Sequence, residues 1–196
     1  MFTSTPIEIT FIEPLLATCS GNKEIATDFI LSKRPEGAAP DEIEALPDKE
    51  AIEKSSTVFM RTAEGKPFLW DYQIKGFLKD AAGMLNRMVK KEEQLKAHKK
   101  LIDGLIFVEP RKIPIELSGV ITILERPLRA QTAQGERIAL ARSEAAPIGS
   151  KIQIKIVCFD PKLQEPIKLW LNYGMWRGLG QWRNASFGRF TWCEVQ

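Results

Sequence analysis

The stretch from Tyr173 to Trp192, YGMWRGLGQWRNASFGRFTW, holds the densest set of side chains suited to an anionic, aromatic ligand. Arg177, Arg183 and Arg189 recur every six residues with no acid between them, and four of the five tryptophans fall between Trp170 and Trp192. Guanidinium groups neutralise phosphates, and indole faces stack nucleobases at roughly 1–3 kcal/mol per base. Gly174, Gly178, Gly180 and Gly188 let the backbone come close to a ligand with its N–H groups exposed, as in a phosphate-cradling nest. The nucleic-acid candidates here are Trp176, Arg177, Gly178, Gly180, Trp182, Arg183, Gly188 and Arg189. Trp170 and Trp192 fit the core of a closing helix and strand better than a binding face, by the usual burial of large aromatics. For the arginines and glycines the competing reading is a plain helix stop. The G-x-x-x-x-G-K-[ST] spacing of a nucleotide-binding P-loop is absent.

A second basic set lies between Glu125 and Glu144, where Arg126, Arg129, Arg137 and Arg142 alternate with Glu125, Glu136 and Glu144. It reads either as an insertion that grips nucleic acid or as a solvated loop whose charges pair among themselves, each pair worth little. The run KKEEQLKAHKK reads more readily as a solvated helix face than as a site.

Elements must hold these groups in place. Ile7, Ile9 and Phe11 alternate with Glu8 and Thr10, the period of a half-buried strand. Residues 58–62 and 67–70 flank Ala63-Glu-Gly-Lys66 and predict a short hairpin. Ile74, Leu78, Ala81, Leu85 and Met88 have helical spacing behind Asp71, a suitable N-cap. The basic continuation from Lys90 to Lys100 extends that helix or forms a second one. Strands follow in 105–129, a polar loop in Ala130 to Ser143, and then the clearest strand, with Ile152, Ile154, Ile156 and Cys158 on one face. A helix from Leu163 to about Gly174 and a strand from Ser186 to Val195 close the chain. The resulting order, β, hairpin, α, β, β, α, β, is an α+β, ferredoxin-like (RRM-like) split βαβ core with a hairpin and loop insertions.

Composition bounds the rest. With 196 residues, 44% hydrophobic and 27% charged, the chain is expected to form one domain with one core, and neither disorder nor a membrane span is the main expectation. Cys19, Cys158 and Cys193 are odd in number and show no C-x-x-C spacing, so no disulfide framework, metal site or cofactor is expected, and a reducing cytoplasm suits them. The net charge of +3 conceals an asymmetry. Residues 1–57 carry 11 acids and 5 bases, and the remainder carries 23 bases against 14 acids. The segment 32–56, rich in Pro, Gly, Ala and acids, is expected to be a mobile acidic insertion.

Three motifs, in order, resemble the RAMP superfamily of CRISPR-associated RNA-binding proteins. The segment GMWRGLGQWRNASFGRF between a helix and a strand is similar to that family's C-terminal glycine-rich loop. AEGKPFLWDYQIKGFLKDAA is similar to its strand-to-helix junction. There Ile74-Lys75-Gly76 matches, Lys79 takes an arginine position, and Trp70-Asp-Tyr-Gln73 stands where the family has Pro-Gly-Ser-Ser. SEAAPIGSKIQIKI is similar to the entry into the third strand. Together they cover most of residues 58–193.

The resemblance is closest to the backbone subunits that line a guide RNA. It implies a non-catalytic protein that holds single-stranded or guide RNA through Lys75, Lys79 and the 177–189 stretch, with other CRISPR-type subunits or copies of itself as partners, in antiviral defence. Two other functions stay open. One is a protein-interaction module that assembles with or inhibits such a ribonucleoprotein, encoded by a phage or mobile element. The other is an RNA endonuclease, for which the family suggests a histidine base or an N-terminal acid. The lone His98 sits in a charged helix and Asp28 aligns only loosely, so neither carries a catalytic assignment.

Overall fold

The computed structural model describes residues 2–20, 57–132 and 135–195. In chain order its strands are β1 (Thr3–Phe11), β2 (Leu15–Leu16), β3 (Cys19–Ser20), β4 (Thr57–Val58), β5 (Met60–Arg61), β6 (Pro67–Trp70), β7 (Ile106–Glu109), β8 (Lys112–Pro114), β9 (Thr122–Thr132), β10 (Gly135–Ala146), β11 (Lys151–Cys158) and β12 (Phe190–Glu194). The helices are α1 (Asp71–Leu85), α2 (His98–Leu105) and α3 (Gln164–Arg177).

The alternation of apolar residues in β1 and β11 builds the central sheet. Ile7 lies opposite Ile154 and Ile9 opposite Ile152, so one face of both strands is continuously apolar. The sheet is antiparallel in the order β12-β1-β11-β7. Counting only its own strands in chain order gives 4-1-3-2, with α1 before the second and α3 before the fourth. This is the expected α+β, ferredoxin-like arrangement.

Ile74, Phe77, Leu78 and Ala81 of α1 and Ile167, Trp170 and Leu171 of α3 are buried, and all join the same hydrophobic cluster as Ile7, Ile9 and Ile154. Each large side chain so buried contributes about 1.5–3 kcal/mol. Gly174 sits where α3 crosses β12, and a Cβ there would fall inside the Phe190 ring. The helix therefore lies closer to the sheet than any other residue would allow.

Two smaller sheets carry the surroundings of the site. One has the order β2-β10-β4-β3 with β9 paired to β10, and the other β5-β6-β8. The expected hairpin at 58–70 forms from β5 and β6, and Gly65 supplies the positive φ of its turn.

Three expectations need correction. Ala130 to Ser143 is not a loop, since Thr122 to Thr132 pairs in antiparallel register with Gly135 to Ala145 as a long hairpin. Backbone hydrogen bonding sustains this ribbon where a polar, charged sequence hides the period of two, and Pro127 lies on a strand that pairs on one side only. Residues 90–97 are not helical. The Asn86 side chain accepts from the Leu95 N–H at 3.0 Å and donates to the Leu95 carbonyl at 2.9 Å, so it closes a loop there, and the second helix begins only at His98. Finally, α1 is capped by Trp70 rather than Asp71: Gln73 Oε1 accepts from the Trp70 N–H at 2.7 Å, leaving Asp71 inside the first turn. The acidic insertion expected at 32–56 and the acid Asp28 lie outside the described residues.

Candidate nucleic-acid interface

The connection from α3 to β12 is a tight loop. The helix runs one turn further than its spacing indicates, so Trp176 and Arg177 are helical, and it stops at Gly178 with φ +73°. A Cβ at Gly178 would collide with the Phe187 carbonyl, and one at Gly188, φ +70°, with the Leu179 carbonyl. The two ends of the loop therefore touch backbone to backbone.

Their N–H groups are engaged: Gly178 donates to the Gly174 carbonyl at 3.1 Å, Leu179 to Gly188 at 2.8 Å and Gly188 to Pro14 at 2.9 Å. Gly178 and Gly188 are thus shaped for chain crossing, not for presenting a nest of free donors. Gly180, φ +81°, lies against the Leu16 carbonyl at the border of a cleft.

The loop arginines divide into two kinds. Arg177 Nε and Arg183 Nη1 both donate to Asp80 Oδ2 on α1 at 2.8 Å, and Arg177 Nη1 also donates to Asn184 Oδ1 at 3.0 Å. Burial raises the Asp80 carboxyl, but the hydrogen bond from Arg177 and the charges of both guanidinium groups outweigh it and hold the group below its ordinary range. The same bond raises Arg177. These arginines anchor the loop to α1 and keep one unit of positive charge between them after Asp80 is counted.

Arg189 and Arg126 behave differently. The Arg189 guanidinium lies 5.9 Å from the Trp176 ring centre, and that of Arg126, on β9, lies 4.4 Å from Trp182. Trp182 also stacks on Phe187, with ring centres 5.1 Å apart and planes 11° from parallel. Among the described residues, buried nitrogens of Arg126, Nε and Nη1, and of Arg189, Nε, have no hydrogen-bond partner. Burial also pulls Arg126 below its usual value. The β9–β10 hairpin and the glycine loop, 56 residues apart in sequence, thus meet through one cation–indole contact. Trp176 is 66% exposed and Trp182 40% exposed, whereas Trp170 is buried and Trp192 donates from Nε1 to Asn172 Oδ1 at 2.8 Å.

The other candidates are less closely gathered. Lys75 and Lys79 lie on a different flank of α1 from Asp80, facing α2. Lys75 Nζ donates to the Asp103 carbonyl at 3.1 Å and lies over Phe107, and Lys79 pairs with the Asp103 carboxylate. Burial pulls the Lys75 ammonium down, offset in part by Asp103. Arg142 pairs with Glu125 across the hairpin. Arg129 and Arg137 occupy paired positions on β9 and β10, opposite Ile138 and Ala130.

A chain in the cryo-EM structure of the Type III-B Cmr-beta bound to cognate target RNA shares this fold. It superposes with a TM-score of 0.60 at 11% identity, covering 100% of this chain and 60% of the other, so the present chain spans less than two thirds of its length. A chain of a Type IV-B CRISPR complex matches at a TM-score of 0.48 and 11% identity, covering 98% of this chain and 90% of that one. No protein-family model matches the chain, and no curated protein does.

Two features escaped the sequence reading. Asp80 is the only acid between Asp71 and Glu92, a lone acid on a helix among lysines and arginines, and that isolation was its signal. A cleft of about 520 Å³ opens between the loop, the first half of α1 and strands β3 to β6, and includes Cys19, whose thiol burial pushes up to about 11. Its walls come from four separate stretches of chain, so no local pattern marks it.

His98 is placed by packing. Its Nδ1 lies 3.4 Å from Asn86 Nδ2, Nε2 is buried without a partner, and a Cβ at Gly83 would stand 3.3 Å from Nε2. Among the described residues no group of three or more His, Cys, Asp and Glu side chains is arranged to hold a metal ion, and no helix is long and apolar enough to cross a membrane.

Proposed function

We propose that the chain is a non-catalytic RNA-binding protein of CRISPR-related, RAMP-like type, which holds single-stranded RNA where the glycine loop meets the β9–β10 hairpin. One observation carries this reading. Arg126 and Arg189 each lie over an indole ring, and among the described residues two nitrogens of Arg126 and one of Arg189 lack an acceptor. A phosphate oxygen that reaches a guanidinium makes charge-assisted hydrogen bonds, and the Trp176 indole, 66% exposed beside Arg189, offers a face to a base. The fold shared with a chain from a structure bound to target RNA supports the same reading. Arg177 and Arg183 set the loop in place and add charge, while Lys75 and Lys79 add to the field from the far flank of α1.

The test is the salt dependence of binding to a single-stranded RNA, read by fluorescence anisotropy. Arg126→Ala and Arg189→Ala are expected to weaken binding, each lowering the slope of log affinity against log salt by about 0.7 for every phosphate the protein no longer neutralises. Unchanged affinity and slope in both variants would overturn the reading.

A second reading, a protein-interaction module, has its own observation. Phe2, Phe107 and Phe159 form an exposed aromatic cluster, with ring centres 5.5 and 5.7 Å apart. Exposed apolar patches of this kind mark protein contacts. An RNA-free pull-down that recovers a CRISPR-type subunit, and fails to do so with Phe159→Ser, would favour it.

A further inference from the structure

The loop between α1 and α2 takes no part in the contacts above, yet it is held in one shape. Asn86 closes it through its two bonds to Leu95, the Glu93 N–H donates to the Lys90 carbonyl at 2.9 Å, and Gln94 Nε2 donates to the Val89 carbonyl at 3.4 Å. Leu95 packs against the core and is the loop's apolar anchor. Most of the other side chains from 87 to 97 stay outside.

What the loop shows outward has an apolar part and a charged part. Met84 and Met88 stand four residues apart where α1 runs on into a 3₁₀ turn, so they share a face, and Val89 follows. All three are exposed, Met88 by 79%, although Leu95 already anchors the loop. Around them lie Arg87, Lys90, Lys91 and Lys96, with Lys99 and Lys100 in the first turn of α2, and only Glu92 and Glu93 oppose these six bases between 87 and 100. Among the described residues none of the six takes part in an ion pair. A cation near the C-terminal end of a helix offsets its dipole, but that role does not call for six bases, nor for an exposed methionine.

The two parts together select the partner. RNA would answer the charge, but the one ring between 84 and 100 is that of His98, packed against Gly83 and Asn86, so no face is offered to a base. A phosphate backbone also has no use for exposed thioether and aliphatic groups. Methionine, unbranched and polarizable, adapts to irregular apolar surfaces and is over-used at protein-binding faces. A protein helix with carboxylates beside an apolar stripe uses both parts.

We infer that the α1–α2 loop docks an acidic amphipathic segment of a partner protein, with its apolar side chains on Met84, Met88 and Val89 and its carboxylates among the surrounding lysines. The loop lies at the opposite end of the 15-residue α1 from the cleft, about 22 Å along the helix axis, so this surface is separate from the RNA interface and does not depend on it.

The test uses the full chain and a synthetic peptide of about 20 residues, long enough to be helical in water, with Glu on one face and Leu on the other. Two control peptides carry Lys in place of Glu, or Ser in place of Leu. By fluorescence anisotropy at low salt the Glu/Leu peptide is expected to bind at least about tenfold more tightly than either control. Met88→Ser is expected to weaken it about fivefold to tenfold with its salt dependence unchanged, and the double variant Lys90→Glu, Lys91→Glu about tenfold with a flatter salt dependence. These side chains are exposed, so the variants should melt with the wild type, and Met88→Ser should bind single-stranded RNA as the wild type does.

Failure of the wild type to prefer the Glu/Leu peptide over the controls would overturn the inference, as would equal binding of that peptide by the wild type and both variants. Weaker RNA binding by Met88→Ser would assign the loop to RNA and overturn it too. So would capture of phosphatidylserine vesicles by the wild type, lost in both variants, with no binding of the peptide, since the surface would then belong to a membrane. None of these outcomes bears on Arg126 and Arg189, so the RNA reading stands or falls by its own test.

Discussion

Asp80 decides what two of the three loop arginines can do. A carboxylate that accepts from both Arg177 and Arg183 fixes the loop on α1, and its proton affinity falls because the charged form is the one held. A carboxyl depressed in the folded state contributes stability above its unfolded pKa and loses it as pH falls through the folded value. Asp80→Asn is therefore expected to destabilise the protein by about 1–2 kcal/mol at neutral pH, the range for partly exposed bonds to a charged group. That difference should shrink as pH drops below the ordinary Asp value of 3.8, until wild type and variant melt together. Thermal melts across that range check it; a gap that stays constant in acid would show that the carboxylate is not the anchor. At this scale the sequence shows which residues are basic and which aromatic, but not their pairing. Arg126 and Trp182 were each singled out in the sequence as candidates, yet their contact spans 56 residues and depends on a hairpin that the charges concealed.

Among the elements, glycines with the same name do opposite work, and the structure separates them. Gly188 has positive φ and would drive a Cβ into the Leu179 carbonyl, part of a backbone that cannot step aside. Gly76 has helical geometry, and a Cβ there meets none of the described residues within 4 Å. Gly188→Ala is expected to cost more than about 2 kcal/mol, combining strain with a backbone clash, while Gly76→Ala should stabilise by about 0.5–1 kcal/mol through helix propensity. Urea unfolding of both variants measures the two signs; a neutral Gly188→Ala would mean that the loop rearranges freely. The strands β1 and β11 were legible because one buried face imposes a clean period of two, and α1 because its apolar stripe is unbroken. The β9–β10 hairpin was not, because a ribbon held mainly by backbone bonds places little demand on side-chain alternation. The end of α1 was missed for a related reason: Asn86 closes the next loop through its side chain, and nothing in the basic run after it announces that bond.

For the whole molecule, the pairing of β3 with β4 settles how the acidic part can be tested. Ser20 lies opposite Thr57 and Cys19 opposite Val58 in antiparallel register, so the two residues that flank the 36 positions from 21 to 56 are neighbours in a sheet. Opposed residues of such a pair stand about 4.5–5.5 Å apart, a gap that a two-residue Asn-Gly turn spans. Residues 21–56 contain 9 acids and 5 bases, so removing them leaves a chain of net charge +7 in place of +3. If the acidic part shields a basic surface, the shortened chain should bind single-stranded RNA more tightly, with the gain largest at low salt and fading as screening rises. Because the register of β3 and β4 is kept by the turn, it should also unfold in one cooperative transition near the temperature of the full chain. Anisotropy titrations at several salt concentrations, alongside calorimetry, measure both. A shortened chain that folds cooperatively but binds no better at low salt would show that the charge asymmetry between the N-terminal part and the body does not regulate RNA binding, and would leave the acidic part to a protein partner.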